Sequence, residues 1–224
     1  MKLKSALMVL ALLTSAHAFG IQFPNTDKPI LPPFNEIEDR GDEQDVEEFD
    51  PSAPDAEEIL KAYDEYYEQM TGESPFLEGY EDLYTPAGSG CKRASCAVWI
   101  RVSKAKQRAY LTLHGSLVDS WPVSTARKGY GTKNWDYHPN GRVYSYYEST
   151  RFPGGSFNYK GRRMGNMGFA VFYSGGFALH GTAATGKLGR PASHGCVRQH
   201  PAKAAYFNSL VRQYGVRNTW ITVQ

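Results

Sequence analysis

The chain has 224 residues, 41% hydrophobic and 21% charged, which leaves room for one core plus accessory segments; it shows no internal repeat. Its formal net charge of +2 is a cancellation. Residues 19–90 hold 3 basic and 20 acidic side chains, a net −17, and residues 91–224 hold 20 basic and 3 acidic ones, a net +17. A domain of that sign points to acidic polymers or peptides bearing carboxylates.

In chain order, residues 1–18 read as an export signal. Lys2 and Lys4 give a positive start, Ala6 to Leu13 is a short apolar run, and Ala16-His17-Ala18 is the small-x-small pattern of a cleavage site. The apolar run is too short to span a bilayer, and no later run approaches a span, so no stable membrane insertion is expected. Export also argues against nucleic acid as a partner. Residues 19–90 form an acidic arm. Its first part, 19–53, has the Pro- and acid-rich composition of a linker. The stretch 54–70, PDAEEILKAYDEYYEQM, predicts a helix: Pro54 suits a first turn, and Asp55, Glu57 and Glu58 suit the positive end of the helix dipole. Ile59, Tyr63, Tyr66 and Met70 fall on one face of it. The stretch from there to Pro86 reads as loop.

Residues 91–224 form the main domain. Cys91 and Cys96 lie five apart and, in an oxidising compartment, read as a local disulfide; the alternative is that one of them pairs with Cys196. The runs CAVWIRVS, QRAYLTLH, LVDSWPVST, RVYSYYEST, GFAVFYS and GFALHG are short, β-branched or aromatic, and separated by turn residues. They predict a mainly β domain of packed sheets. One helix interrupts it over 201–214, opened by Pro201 and closed by Gly215, and NTWITV supplies a last strand.

The chemistry concentrates in two motifs, His180-Gly181-Thr182 and Ser193-His194-Gly195-Cys196-Val197-Arg198. Cys196 is the odd cysteine left by the expected disulfide. A thiol attacks a carbonyl as thiolate, and a nearby imidazole supplies that state, so Cys196 reads as a nucleophile with His180 or His194 as base. Gly195 lets the backbone turn and present amides to an oxyanion. Arg198, two residues beyond Cys196, would share its side of an extended segment and could hold a substrate carboxylate; the other reading makes it a loop anchor. Ser193 reads as a turn hydrogen-bonder rather than a nucleophile. A zinc reading would use His180, His194, Cys196 and His200, but their spacing is not that of a structural site and no acidic ligand is near, so no metal or other cofactor is expected. GRPASHGC lacks the Gly-Lys-Ser/Thr tail of a phosphate loop. The aromatic stretch containing Tyr130, Trp135, Tyr137, Tyr144, Tyr146 and Tyr147 reads as substrate loop or sheet packing.

The two-part motif closely resembles the signature of YkuD-type L,D-transpeptidases. MGNMGFAVFYSGGFALHGT and SWPVSTARKG extend the resemblance over about residues 96–224. It implies a β-sandwich-like catalytic domain and a cysteine acyl-enzyme acting on peptidoglycan tetrapeptide stems. Carried over, Cys196 is the nucleophile, His180 the base oriented by the Gly181 carbonyl, and His194 with the amides of Gly195 and Cys196 flanks the oxyanion. Arg198, Ser193, Thr182, Phe172 and Tyr173 are implied at the substrate. A second stem amine would resolve the thioester into a 3–3 cross-link. The chain departs from the family's pattern at His138-Pro139-Asn140-Gly141, at Ala126 and at Gln199-His200. These departures keep open a carboxypeptidase or endopeptidase using water, and attachment of an outer-envelope protein's lysine; a third alternative is a catalytically silent peptidoglycan-binding protein. The charge split opens one further reading of the arm: the −17 segment could fold back over the +17 domain, its tyrosine-bearing helix docking near the active site as a cover or brace. The other reading of the arm is a solvated spacer or partner-binding segment.

Overall fold

The computed structural model describes residues 51–77, 90–148 and 155–224. The export signal (1–18), most of the linker and the segment 78–89 lie outside the described residues. Helix α1 spans Ala56–Thr71 and helix α2 Pro201–Tyr214. The strands are β1 Val98–Ser103, β2 Arg108–Leu113, β3 Ser116–Ser124, β4 Trp135–Tyr137, β5 Asn158–Tyr159, β6 Arg162–Arg163, β7 Val171–Ser174, β8 Phe177–Gly181, β9 Val197–Gln199 and β10 Thr219–Val223. Eight of them form one mixed sheet in the order β4-β10-β1-β2-β3-β9-β8-β7, and β5 and β6 pair separately. The fold is the mainly β one that the sequence predicts.

Local chemistry explains the connections. β2 and β3 are joined by His114 and Gly115, both at positive φ, as a tight turn matched to strand twist requires. β1 alternates buried and more exposed positions, while β8 and β10 are buried throughout and so covered on both faces. The sheet curls until its two terminal strands approach, with the Trp135 and Tyr173 rings 6.1 Å apart. Val98, Ile100, Leu111, Val123, Leu179, Val197 and Ile221 fill the main core together with Phe207 and Val211 of α2. α2 opens at His200, whose Nδ1 accepts from the Ala202 amide at 3.3 Å, with Pro201 in the first turn. Cys91 and Cys96 are joined as a disulfide.

Two expectations need correction. Over its described part, 142–148, RVYSYYEST is not a strand: Arg142 and Val143 make isolated bridges, to Phe76 and Val171. Tyr144 and Tyr147 turn inward instead, and side chains satisfy part of the irregular backbone. Asn208 donates to the Tyr144 carbonyl at 2.9 Å and Arg212 to that of Val143 at 2.7 Å. The second correction concerns α1. It starts two residues later than Pro54 and ends on Gly72 in the left-handed conformation. Its buried face is Ala56, Leu60, Tyr63 and Tyr67, while Ile59 and Tyr66 are only partly covered; the side chain of Met70 lies outside the described residues. The stripe is rotated because the helix packs on aromatic rings of the sheet domain, not on an aliphatic face. Tyr63 lies 4.2 Å from the Tyr147 ring and 5.6 Å from that of Tyr144, and Tyr67 lies 5.2 Å from Tyr144. No helix of the described residues is long and apolar enough to cross a membrane.

Candidate active site

The parallel pair β8–β9 brings the two motifs together. Leu179 stands opposite Val197 and His180 opposite Arg198. Side chains alternate across a strand, so Leu179 and Val197 face the main core. Ala178, and Cys196 just before β9, join a second cluster on the other side with Tyr63, Tyr144, Tyr147, Met167 and Phe172. His180 shares the side of Ala178 and lies diagonally across from Cys196, a placement within reach of side chains on adjacent strands.

The loop before β9 is held by its neighbours. The carbonyl of Thr125 accepts from the amides of Ala192 and Ser193 at 2.8 and 3.0 Å, and the Arg127 amide donates to the Ser193 carbonyl at 2.9 Å. Ser193 Oγ donates to the Cys196 carbonyl at 2.6 Å and accepts from the Gly195 amide at 3.2 Å. Ser193 therefore acts inside the turn, as its side-chain type favours, and is fully buried rather than turned towards a substrate. Gly195 sits at φ +151°. A Cβ there would lie 2.7 Å from Pro51 Cγ and 3.2 Å from Phe177 Cε1, so the position is closed to a side chain by conformation and by contact.

The two histidines have different surroundings. His180 is fully buried, and its Nδ1 lies 2.8 Å from the Gly181 carbonyl. A carbonyl only accepts, so Nδ1 carries the proton and Nε2 is the basic nitrogen. Gly181 itself allows no side chain, since a Cβ would meet Phe157 Cζ at 2.7 Å. His194 Nε2 lies 2.8 Å from the Arg127 guanidinium. A guanidinium only donates, so Nε2 of His194 accepts and the ring is the Nδ1-protonated neutral form. Tyr130 packs edge-on against the same ring at 4.6 Å, with the Arg127 guanidinium 5.2 Å from the Tyr130 ring centre. This frame orders the His194 ring, while the Gly181 carbonyl fixes the tautomer of His180.

The remaining expected residues are placed as follows. The Cys196 thiol is reduced, 2% exposed, and lies 3.6 Å from the Gly176 carbonyl. Thr182 caps the turn after β8, its Oγ1 accepting from the Ala184 amide at 3.2 Å. Arg198 is 4% exposed, in register with His180 and Ser124, a placement that suits the anchoring role. Phe172 and Tyr173 were expected at the substrate, and both are fully buried. Phe172 packs under the tyrosines of the second cluster, and Tyr173 in the main core beside Trp135 and Phe177. Adjacent residues of a strand point to opposite faces, which separates the pair. The departures from the family's pattern are accommodated locally. His138 Nδ1 is 2.7 Å from the Thr219 carbonyl, and buried Gln199 accepts from Trp121 Nε1 at 2.8 Å. Among the described residues no group of three or more His, Cys, Asp or Glu is placed to hold a metal ion.

Three residues of the site were not singled out from sequence: Arg127, Pro51 and, as a neighbour of the thiol, Tyr147. Arg127 had a signal, a cation in the STARKG segment, but only the pairing of 125–127 with 192–193 brings it to His194. Burial pushes the hydroxyls of Tyr63, Tyr144 and Tyr147 far above their ordinary pKa, so this side of the thiol is lined by neutral rings.

Comparison with known proteins places the chain in a family. The YkuD family, the L,D-transpeptidase catalytic domain, matches residues 97–222, and the chain belongs to that family. Solved structures similar to it include an L,D-transpeptidase from Mycobacterium tuberculosis H37Rv, 22% identical over 58% of each chain with a TM-score of 0.42. Another is the L,D-transpeptidase from Mycobacterium smegmatis, 17% identical over 58% of this chain and 59% of that one, TM-score 0.42. A third comes from Xylanimonas cellulosilytica, 22% identical over 64% of this chain and 66% of that one, TM-score 0.40. The chain thus spans about three-fifths of the length of the first of these relatives. No curated protein sequence matches it.

Proposed function

We propose that the protein is an exported L,D-transpeptidase that cross-links peptidoglycan through a Cys196 thioester. The observation that carries the reading is His180, whose Nδ1 is fixed by the Gly181 carbonyl at 2.8 Å while its strand runs beside the one that follows Cys196. In this reading His180 Nε2 takes the thiol proton as Cys196 attacks the carbonyl on the L-centre of the third stem residue. Backbone amides at Gly195 and Cys196 face the developing oxyanion; the Gly195 amide would exchange its bond to Ser193 Oγ for one to the substrate. The C–N bond to the terminal D-alanine breaks, and the proton on His180 leaves with the amine of that residue. An amine of a second stem then attacks the thioester, His180 takes the amine's proton, the thiolate leaves and recovers that proton, and a 3–3 cross-link results. The +17 domain suits a substrate bearing several carboxylates. The Cys91–Cys96 disulfide and the N-terminal signal support an oxidising, extracytoplasmic location.

The test is chromatography of products after incubation with a purified disaccharide-tetrapeptide, using the wild-type chain and a chain with α1 undocked by Leu60→Asp. Release of D-alanine together with a 3–3 dimer, both lost in Cys196→Ala and His180→Ala, is the expected result. D-Alanine release with no dimer would identify water as the acceptor and a carboxypeptidase. Dimer absent but a lysine-bearing peptide acylated would identify an attachment enzyme. No release from either chain would remove the reading.

A further inference from the structure

We propose that residues 51–71 are an intramolecular occupant of the acyl-donor groove, a cover that must leave before a stem peptide can reach Cys196. This rests on the reading of Cys196 as nucleophile. Three independent observations carry it.

The first is steric. Pro51 lies against Gly195 so closely that a Cβ there would be 2.7 Å from its Cγ. Leu60, Tyr63 and Tyr67 of α1 are buried in the same cluster as the Cys196 side chain. A carbonyl must come within about 3–3.5 Å of the sulfur to react. With the arm docked, Cys196 as a residue is 2% exposed, and no peptide has that access.

The second is electrostatic. The sheet domain contains three acids in all, Asp119, Asp136 and Glu148. Each is already engaged by a cation of the domain itself, Lys203 at 2.6 Å, Arg93 at 2.5 Å and Arg163 at 2.8 Å. Arg142 is answered from the arm instead. Its Nε lies 3.0 Å from Asp64 and its Nη2 2.9 Å from Glu57, and Tyr144 donates to the other oxygen of Asp64. Arg142 and Asp64 are both about nine-tenths buried at the side chain, so the latch is shielded from solvent and costly to leave half-made.

The third is the hinge. Beyond α1 the chain is tied independently to the domain. The Leu77 amide donates to Gly141, the Val143 amide donates to Pro75, and Phe76 bridges Arg142. Between that tie and the helix stands Gly72 at φ +70° with open space around it. The helix can therefore swing away while the chain stays attached.

Reactivity of the thiol in the full chain tests this without relying on transpeptidase turnover. Cys196 is the one cysteine outside the disulfide, so iodoacetamide uptake reports it alone. All four tryptophans, Trp99, Trp121, Trp135 and Trp220, belong to the sheet domain, so their fluorescence follows its unfolding separately. Leu60→Asp puts a charge into the buried face of α1, and Asp64→Asn weakens the latch more gently. With the domain's unfolding transition retained, we expect alkylation about tenfold faster or more in Leu60→Asp and about threefold faster in Asp64→Asn, because the rate follows the open population. An alkylation rate equal to wild type in both folded variants overturns the cover. Loss of the tryptophan transition in both also overturns it, since the arm is then a brace needed for the fold. Faster alkylation with no acylation by tetrapeptide upholds the cover and removes the transpeptidase reading, so the two can fail separately.

Discussion

Tyr144 and Tyr147 sit side by side under α1, with ring centres 5.2 Å apart, and loss of their hydroxyls should change stability in opposite directions. The Tyr147 hydroxyl is buried and has no hydrogen-bond partner among the described residues. A buried donor left unmade costs about 1–3 kcal/mol. Tyr147→Phe removes that cost and keeps the ring contacts with Tyr63 and Phe172. The void left by one oxygen, roughly 10 Å³ at about 24 cal/mol per Å³, takes back only about 0.2 kcal/mol. The variant should be more stable by about 1–2 kcal/mol, or about 3–6 °C in Tm for a chain of this size. Tyr144 donates to Asp64, an oxygen that Arg142 does not hold in the same way. Tyr144→Phe strips a charged acceptor of a donor and should lose about 2 kcal/mol. Urea unfolding followed by tryptophan fluorescence and circular dichroism gives both values. A Tyr147→Phe variant as stable as wild type or less so would refute the reasoning, because it would mean that the hydroxyl makes a favourable contact.

Gln199→Leu restores the kind of apolar residue expected after Val197-Arg198; it takes the acceptor from the buried Trp121 Nε1–H but also removes a buried Gln199 Nε2 with no partner among the described residues, so its net cost should stay within about 1 kcal/mol, and that cost should vanish in a Trp121→Phe background when a double-mutant cycle is read by urea unfolding. Asp136 is held down to about 2, chiefly by its hydrogen bonds from Arg93. Its depressed value means that its contribution is present above the ordinary carboxylate pKa and is lost as pH falls towards 2. The pair is partly exposed and screened by solvent, so the contribution is small. The stability gap between wild type and Asp136→Asn should therefore close between pH 5 and pH 2, and a gap independent of pH would contradict the assignment.

What could be read from sequence was set by local rules. β8 follows from the apolar run GFALHG, and the segment after Cys196 reads as extended from the placement of Arg198 two residues on, whereas the chemistry of the site follows from the residue types and spacing of His180-Gly181 and Ser193-His194-Gly195-Cys196. The Cys91–Cys96 bridge follows from spacing and compartment, and α2 from Pro201 and Gly215. The buried face of α1 was misplaced because Ile59 and Tyr66 are as apolar as Leu60 and Tyr67. Only the position of Tyr144 and Tyr147 decides between the stripes. Those tyrosines were read as strand residues because their propensity is that of a strand, whereas burial of their rings and the side-chain donors from α2 hold an irregular path. The Arg127–His194 contact depends on pairing between segments more than 60 residues apart, which no local pattern records. The charge split pointed towards the sheet domain for the arm, but the contact of α1 is made mainly by tyrosine rings, with Asp64 and Glu57 at Arg142 its ion pairs among the described residues.

The most direct measurement is the intact mass of the Leu60→Asp chain after mixing with disaccharide-tetrapeptide, with Leu60→Asp/Cys196→Ala alongside. The account predicts a gain equal to the donor without its terminal alanine, labile to hydroxylamine and absent from the double variant. A thiol that iodoacetamide alkylates readily, with no such adduct and an unchanged peptide, would contradict it.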